Sequence, residues 1–180
     1  MHVQIRGTSG SGKSTVMRKV IGGLGGKVKS VMKDGRKNPL YYKIDDIAIL
    51  GHYESPCGGC DTIGSARQVY DLLQKIDARI VLSEGLLLSE DTKWSKQLDD
   101  LRVVFLTTPV ETCLERIRGR REAAGNNKPL KEDNTRNRVR VIERARVKLL
   151  AEDVTCRRCS STQATEVILK WVKLHAALKD

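Results

Sequence analysis

Apolar residues fall in two rhythms along this chain. Short runs rich in Val, Ile and Leu alternate with stretches in which apolar residues recur every three or four positions, the pattern of strands alternating with amphipathic helices. Val3-Gln4-Ile5 reads as a short strand and Val16 to Ile21 as a helix, stopped by Gly22-Gly23-Leu24-Gly25-Gly26. Val28 to Met32, Leu40 to Ile44 and Ile47 to Leu50 read as strands joined by turns at Asp34-Gly35 and Asp45-Asp46. A helix with Val69, Leu72, Leu73 and Ile76 on its buried face follows, capped by Thr62 or Ser65. Arg79 to Gly85 is a near-continuous apolar strand ending in an acid, and Glu90 to Leu98 reads as a helix. Arg102 to Thr107 is another buried strand, broken by Thr108-Pro109, and Val110 to Arg121 is a helix. A loop over Ala124 to Pro129 leads to a long helix starting at Thr135. Val154 to Cys159 is the last strand, and Ser161 caps a final helix in which Trp171 belongs to the core.

This alternation predicts an α/β fold, a parallel sheet flanked by helices, with a small β insertion after the first helix. The 180 residues suit one domain over 1–180. In an open sheet of this kind the carboxyl ends of the strands line the ligand crevice, which is where Glu84 falls.

The connection after the first strand says what that crevice holds. Gly7-Thr8-Ser9-Gly10-Ser11-Gly12-Lys13-Ser14-Thr15 fits the P-loop pattern G-x-x-x-x-G-K-[ST], between a strand and a helix as the motif requires. Its glycines let the backbone curl round a polyphosphate, and the loop and helix N–H groups point at the anion. Lys13 reaches the terminal phosphates, the Ser14 hydroxyl ligates Mg²⁺, and Glu84 joins Ser14 at the metal, so ATP and Mg²⁺ are the expected cofactors.

Charge adds a second theme. The net charge is +11, distributed as +9 over residues 1–43, −6 over 44–114 and +7 over 115–148. An acidic middle between two basic blocks suggests a metal-bearing centre flanked by anion-binding surfaces, and the excess points to a polyanionic partner such as nucleic acid; a solvated basic surface is the bland alternative. The start of the chain enters the first strand directly and no apolar run reaches membrane-spanning length, so the expectation is a cytoplasmic protein with no membrane partner. Five cysteines, an odd count, argue against a disulfide framework. The pairs Cys57/Cys60 and Cys156/Cys159 leave zinc open, although a strand would turn Cys156 and Cys159 to opposite faces.

Two further stretches carry candidate chemistry. Gly51 to Thr62 holds Gly, His, Tyr and Asp with almost no aliphatic residues, a loop composition suited to function. Arg116, Arg118, Arg120 and Arg121 lie along one helix, and Arg136 and Arg138 open the next, a pair of basic helices over about 116–138. Arg116 and Arg120, spaced i and i+4, face one side together.

The P-loop, the strand ending Ser83-Glu84-Gly85, and Leu106-Thr107-Thr108-Pro109 before an arginine-rich helix together resemble the P-loop nucleoside and nucleotide kinases, over the whole chain. The Ser83-Glu84-Gly85 segment departs from the Asp-Arg-aromatic motif of thymidylate kinases, and the Asp-Gly-Phe-Pro-Arg stretch of adenylate kinases is absent. The loop with Gly51-His52-Tyr53-Glu54 and Cys57-Gly58-Gly59-Cys60-Asp61-Thr62 resembles a thymidylate-kinase-like group, the phage 5-hydroxymethyluracil DNA kinases. That resemblance implies ATP-dependent phosphorylation of the hydroxymethyl group of 5-hydroxymethyluracil in DNA, a step in phage thymine hypermodification in the host cytoplasm. The two basic helices resemble the lid of small P-loop kinases, which implies arginines that steady charge on the transferring group, Arg116 and Arg120 first and Arg136 and Arg138 next. Acceptor-side residues are then His52, Tyr53, Gly58, Gly59 and Asp61. A base taken out of DNA needs planar faces, which His52 and Tyr53 could offer, loop packing being the alternative. Asp61 would accept the hydroxyl proton, with Asp45 and Asp46 as alternatives. A kinase for a free nucleoside, nucleotide or other small metabolite, and an NTP-binding regulator or ATPase with no acceptor, stay open.

Overall fold

In the computed structural model, which describes residues 1–55, 58–126 and 128–178, one mostly parallel sheet runs through the chain. Its strands are β1 (His2–Arg6), β2 (Lys29–Val31), β3 (Tyr41–Ile44), β4 (Ile47–Leu50), β5 (Ile80–Glu84), β6 (Leu101–Leu106) and β7 (Thr155–Cys159). The helices are α1 (Lys13–Leu24), α2 (Ala66–Lys75), α3 (Leu86–Glu90), α4 (Val110–Ala123), α5 (Glu132–Leu150) and α6 (Ser161–Ala177). The strand order is β2-β3-β4-β5-β1-β6-β7, with β4, β5, β1, β6 and β7 parallel and β2 and β3 antiparallel additions at one edge.

The two-residue period of the strands divides the core. Val3, Ile5, Leu82 and Val104 face Val16, Met17 and Val20 of α1 and Ile168 and Val172 of α6. Val81, Val103 and Phe105 face the other way, against Val69 and Leu73 of α2, Leu88 of α3 and Ile142 and Leu149 of α5. Each such buried side chain contributes roughly 1.5–3 kcal/mol, so both faces are strongly held. The strand ends are therefore a firm base for the loops above them.

The strands after α1 join the main sheet, since β4 pairs in parallel with β5 and β3 and β2 follow it to the edge. Three sequence expectations shift. The expected helix over 90–98 is absent. Chain leaves helix at Asp91, whose carboxylate accepts from the Trp94 and Ser95 amides and holds a short 3₁₀ turn over Ser95–Gln97 instead. The long basic helix starts at Glu132, three residues early, with Glu132 and Asp133 in its first turn, where acids suit the helix dipole. Ser160, not Ser161, caps α6 in a capping box with Gln163, while Ser65 and Gln68 do the same for α2. Cys156 and Cys159 lie on opposite faces of β7, in the two different core clusters, so that pair cannot chelate one ion. Cys57 lies outside the described residues. No helix among them is long and apolar enough to cross a membrane.

Candidate active site

Between β1 and α1 the loop turns through Gly10 (φ 80°) and Gly12 (φ 97°), left-handed positions that favour glycine. At Gly10 a side chain would also run into the Cys113 backbone of α4, so this loop lies directly on that helix. The Lys13 ammonium turns back over the loop, donating to the carbonyls of Gly7 (2.9 Å) and Thr8 (3.2 Å). Burial pushes its pKa down, against the opposing pull of Glu84 and Asp61. The Thr8 and Ser11 hydroxyls are buried without a hydrogen-bond partner, and groups of that kind fit a phosphate ligand. The loop is braced from below and from the side. Gly7 N–H donates to Ser89 Oγ (3.0 Å), Ser89 donates to Gly85 O (2.7 Å), and Thr108 Oγ1 donates to Ser11 O (2.8 Å).

At the carboxyl end of β5, Glu84 is buried and accepts a 2.7 Å hydrogen bond from Ser14 Oγ. Burial raises its pKa, while Lys13 and Ser14 pull the other way. A hydroxyl and a carboxylate side by side next to a polyphosphate loop are hard oxygen donors of the kind Mg²⁺ takes, so the residues fit that ion.

The 51–62 loop is pressed against this corner. His52 and Gly59 form an isolated antiparallel bridge, and Gly59 N–H donates to His52 O (2.9 Å). A side chain at Gly59 would collide with the Glu84 carboxylate, and one at Gly58 with the His52 carbonyl. Gly59 therefore serves close approach of backbone to Glu84, and Gly58 close approach of backbone to His52. Arg18 of α1 ties down the loop's first half through the carbonyls of Tyr53 (2.9 Å) and Ser55. At the far end, the Asp61 carboxylate accepts from the amides of Leu86 (2.7 and 2.9 Å) and Leu87 (3.2 Å), at the start of α3. Those bonds fix its orientation beside Glu84, and both acids line one cavity with the P-loop.

His52 and Tyr53 do not line that cavity. They are 3% and 7% exposed; the Tyr53 hydroxyl donates to Leu50 O (3.1 Å) and its ring packs near Tyr42. In this conformation they are loop packing rather than open stacking faces, because the glycines draw the loop down onto the sheet. Asp45 and Asp46 are also remote. They form the β3–β4 turn, where Asp46 O accepts from Ile80 N–H at the beginning of β5, so they sit at the opposite end of the strands from Glu84. Asp45 has φ 49°, an aspartate doing turn work.

The cavity, about 890 Å³, runs from Glu84 and Asp61 across the P-loop residues Ser9, Gly10, Gly12, Lys13, Ser14 and Thr15 to α4. Arg116 and Arg120 both line it, and Arg116 Nη1 donates to Gly10 O (3.1 Å). Arg118 pairs with Glu132, Arg136 with Glu111 and Glu132, and Arg138 with Glu90, which turns these three to structural use. Sequence reading missed Ser89, whose role needs the β1–α3 contact, and Ser161, which lines the cavity rim at the start of α6. It also missed Arg6, the last residue of β1 before the P-loop, which is buried among Gln4, Tyr70 and Ser95.

No family model matches the chain. It is 41% identical over 138 residues to a 5-hmdU DNA kinase of Pseudomonas phage PaMx11, covering 71% of this chain and 72% of that one. It is 34% identical over 170 residues to a 5-hmdU DNA kinase of Pseudomonas phage M6, covering 87% and 89%. A 5-hmdU DNA kinase of Delftia phage PhiW-14 is 26% identical over 161 residues, covering 78% of this chain and 60% of that one. Among solved structures, a deoxyadenosine kinase from M. mycoides with bound dCTP aligns over 96% of this chain and 99% of its own at 14% identity, with a TM-score of 0.47. On sequence, the chain belongs to the family of phage 5-hmdU DNA kinases.

Proposed function

We propose that the protein transfers the γ-phosphate of ATP to the hydroxymethyl oxygen of 5-hydroxymethyluracil carried in DNA. The observation that carries the phosphotransfer chemistry is the cavity itself, in which a second carboxylate, Asp61, stands beside the Ser14–Glu84 pair and the P-loop. The acceptor is inferred from the family, and the chain's excess of basic residues supports a DNA strand over a free nucleotide.

The roles follow from placement. The P-loop amides and Lys13 bind the polyphosphate, and Lys13 exchanges its two carbonyl contacts for phosphate oxygens. Ser14 and Glu84 hold Mg²⁺, which supplies charge neutralisation at the transferring group. Asp61, aimed by two backbone amides, accepts the proton of the hydroxymethyl group as that oxygen attacks the γ-phosphorus and ADP leaves. Arg116 and Arg120 lie over the loop from α4 and stabilise the charge that spreads onto the transferring oxygens.

The test offers γ-labelled ATP and Mg²⁺ in parallel to DNA containing 5-hydroxymethyluracil, to unmodified DNA, to free 5-hydroxymethyl-dUMP and to thymidylate. Label on the modified DNA alone is expected. Label on free nucleotides only would replace the DNA acceptor with a small-molecule one, and label on nothing would leave an NTPase.

A further inference from the structure

We propose that the turn joining β2 and β3, with the exposed face of β2, grips the phosphodiester backbone of the DNA strand whose base enters the cavity. This rests on the DNA-acceptor reading above.

The strand directions bring this turn to the site. β3 runs antiparallel to β4, and β4 runs parallel to β5, so the end of β2 and the start of β3 lie at the same end of the sheet as Glu84. Hydrogen bonds from Leu40 N–H to Val31 O and from Gly51 N–H to Leu40 O link the turn to the beginning of the 51–62 loop. At the other end of that loop, Arg36 of the turn donates to Thr62 O (3.4 Å), one residue beyond Asp61. Its Nε is buried and has no partner, a donor left over for a ligand. The basic turn is therefore joined to the acceptor side of the cavity, on the flank opposite α4.

Charge availability then separates this surface from the other basic block. Residues 25–38 hold five basic side chains against one acid. Lys27, Lys29, Lys33 and Lys37 are exposed, and among the described residues none of their side chains forms an ion pair or hydrogen bond. In the helical block, Arg118, Arg136, Arg138 and Arg146 are engaged with carboxylates. Lysines on an edge strand commonly guard against strand pairing, and that accounts for Lys29. It does not account for Lys33, Arg36 and Lys37, which lie beyond β2 in the turn. Lysines spaced along this turn with no internal partner, beside an Arg36 held through Thr62 O alone, match a strand of phosphates and release its counterions on binding.

The experiment compares wild type with Lys29→Ser/Lys33→Ser/Lys37→Ser, using 5-hydroxymethyluracil at the centre of a 20-nucleotide strand and in a trinucleotide, which has only two phosphodiesters to offer. The expected result is a KM for the long strand raised at least roughly tenfold, and a log KM against log salt slope shallower by about two to three, since each lost phosphate contact removes about one. Turnover at saturation should not move, and the trinucleotide KM should move far less than that of the long strand. Equal KM and salt slope in the two proteins, with wild type phosphorylating the strand, would overturn the grip while leaving the DNA reading intact. The same would follow if Lys148→Ser/Lys170→Ser/Lys173→Ser, which removes equal charge on α5 and α6, produced the same loss. Label confined to free nucleotides in wild type would overturn both.

Discussion

The Ser14 hydroxyl donates a 2.7 Å hydrogen bond to Glu84 Oε1, joining the first turn of α1 to the end of β5 across 70 positions of chain. If this pair holds Mg²⁺, Glu84→Gln keeps the hydrogen-bond acceptor but loses the charge. Turnover should fall roughly 10²–10³-fold and the Mg²⁺ concentration for half-maximal rate should rise severalfold. Steady-state rates across a Mg²⁺ titration check this. A variant within threefold of wild type at every Mg²⁺ concentration would take Glu84 out of the metal corner.

Gly59 holds the 51–62 loop against that same carboxylate. Its φ of 75° is unfavourable for other residues, and an added Cβ would meet the Glu84 side chain. Gly59→Ala should cost roughly 2–4 kcal/mol and lower Tm by about 5–10 °C, with activity lost in the folded fraction. Gly22→Ala is the matched control. Gly22 lies in α1 with open space around its Cα, so its replacement should stabilise by roughly 0.5–1 kcal/mol. Thermal melts of the two variants should move in opposite directions.

Which parts of this site the sequence could show depends on the range of the interaction that builds them. The P-loop is written in consecutive residues, and Glu84 ends an apolar strand whose place beside β1 follows from fold class, so both were readable. His52 and Tyr53 read as available ring faces because loop composition says nothing of depth. Their burial comes from Gly51, Gly58 and Gly59 letting backbone pack on backbone and on Glu84. Asp45 and Asp46 competed with Asp61 only until strand direction put them at the other end of the sheet. The arginines of α4 and α5 looked alike in one dimension, and ion pairing distinguished them.

That sorting predicts unequal effects. Arg116 reaches the P-loop through Gly10 O, whereas Arg136 is held by Glu111 and Glu132. Arg116→Ala should reduce kcat by roughly 10²–10³-fold with ATP affinity changed less than about tenfold, as expected of a cation that acts on the transferring group. Arg136→Ala should stay within about threefold of wild type in kcat, because its guanidinium is committed to carboxylates outside the cavity. Single-turnover rates with a separate nucleotide-binding measurement distinguish the two. Equal losses would mean that the lid closes into an arrangement in which both reach the phosphates.

Stability should also depend on pH through a group far from the chemistry. His2, at the start of β1, has its Nδ1 buried without a partner, and burial lowers its pKa from the ordinary 6.5 to about 4. The unfolded chain takes up a proton at this residue near pH 6.5, whereas the folded protein does so only near pH 4. The stability tied to neutral His2 is therefore fully present above pH 6.5 and is lost as pH falls towards 4. Because the ring is only partly shielded from water, the effect is at most about 2 kcal/mol. His2→Gln cannot titrate, so it should lose less stability than wild type between pH 7.5 and pH 4.5, by several degrees in Tm. Melting curves at the two pH values for both proteins decide it. Parallel losses would place the acid sensitivity elsewhere, with the carboxylates of the ion pairs around α4 and α5 as the next groups to examine.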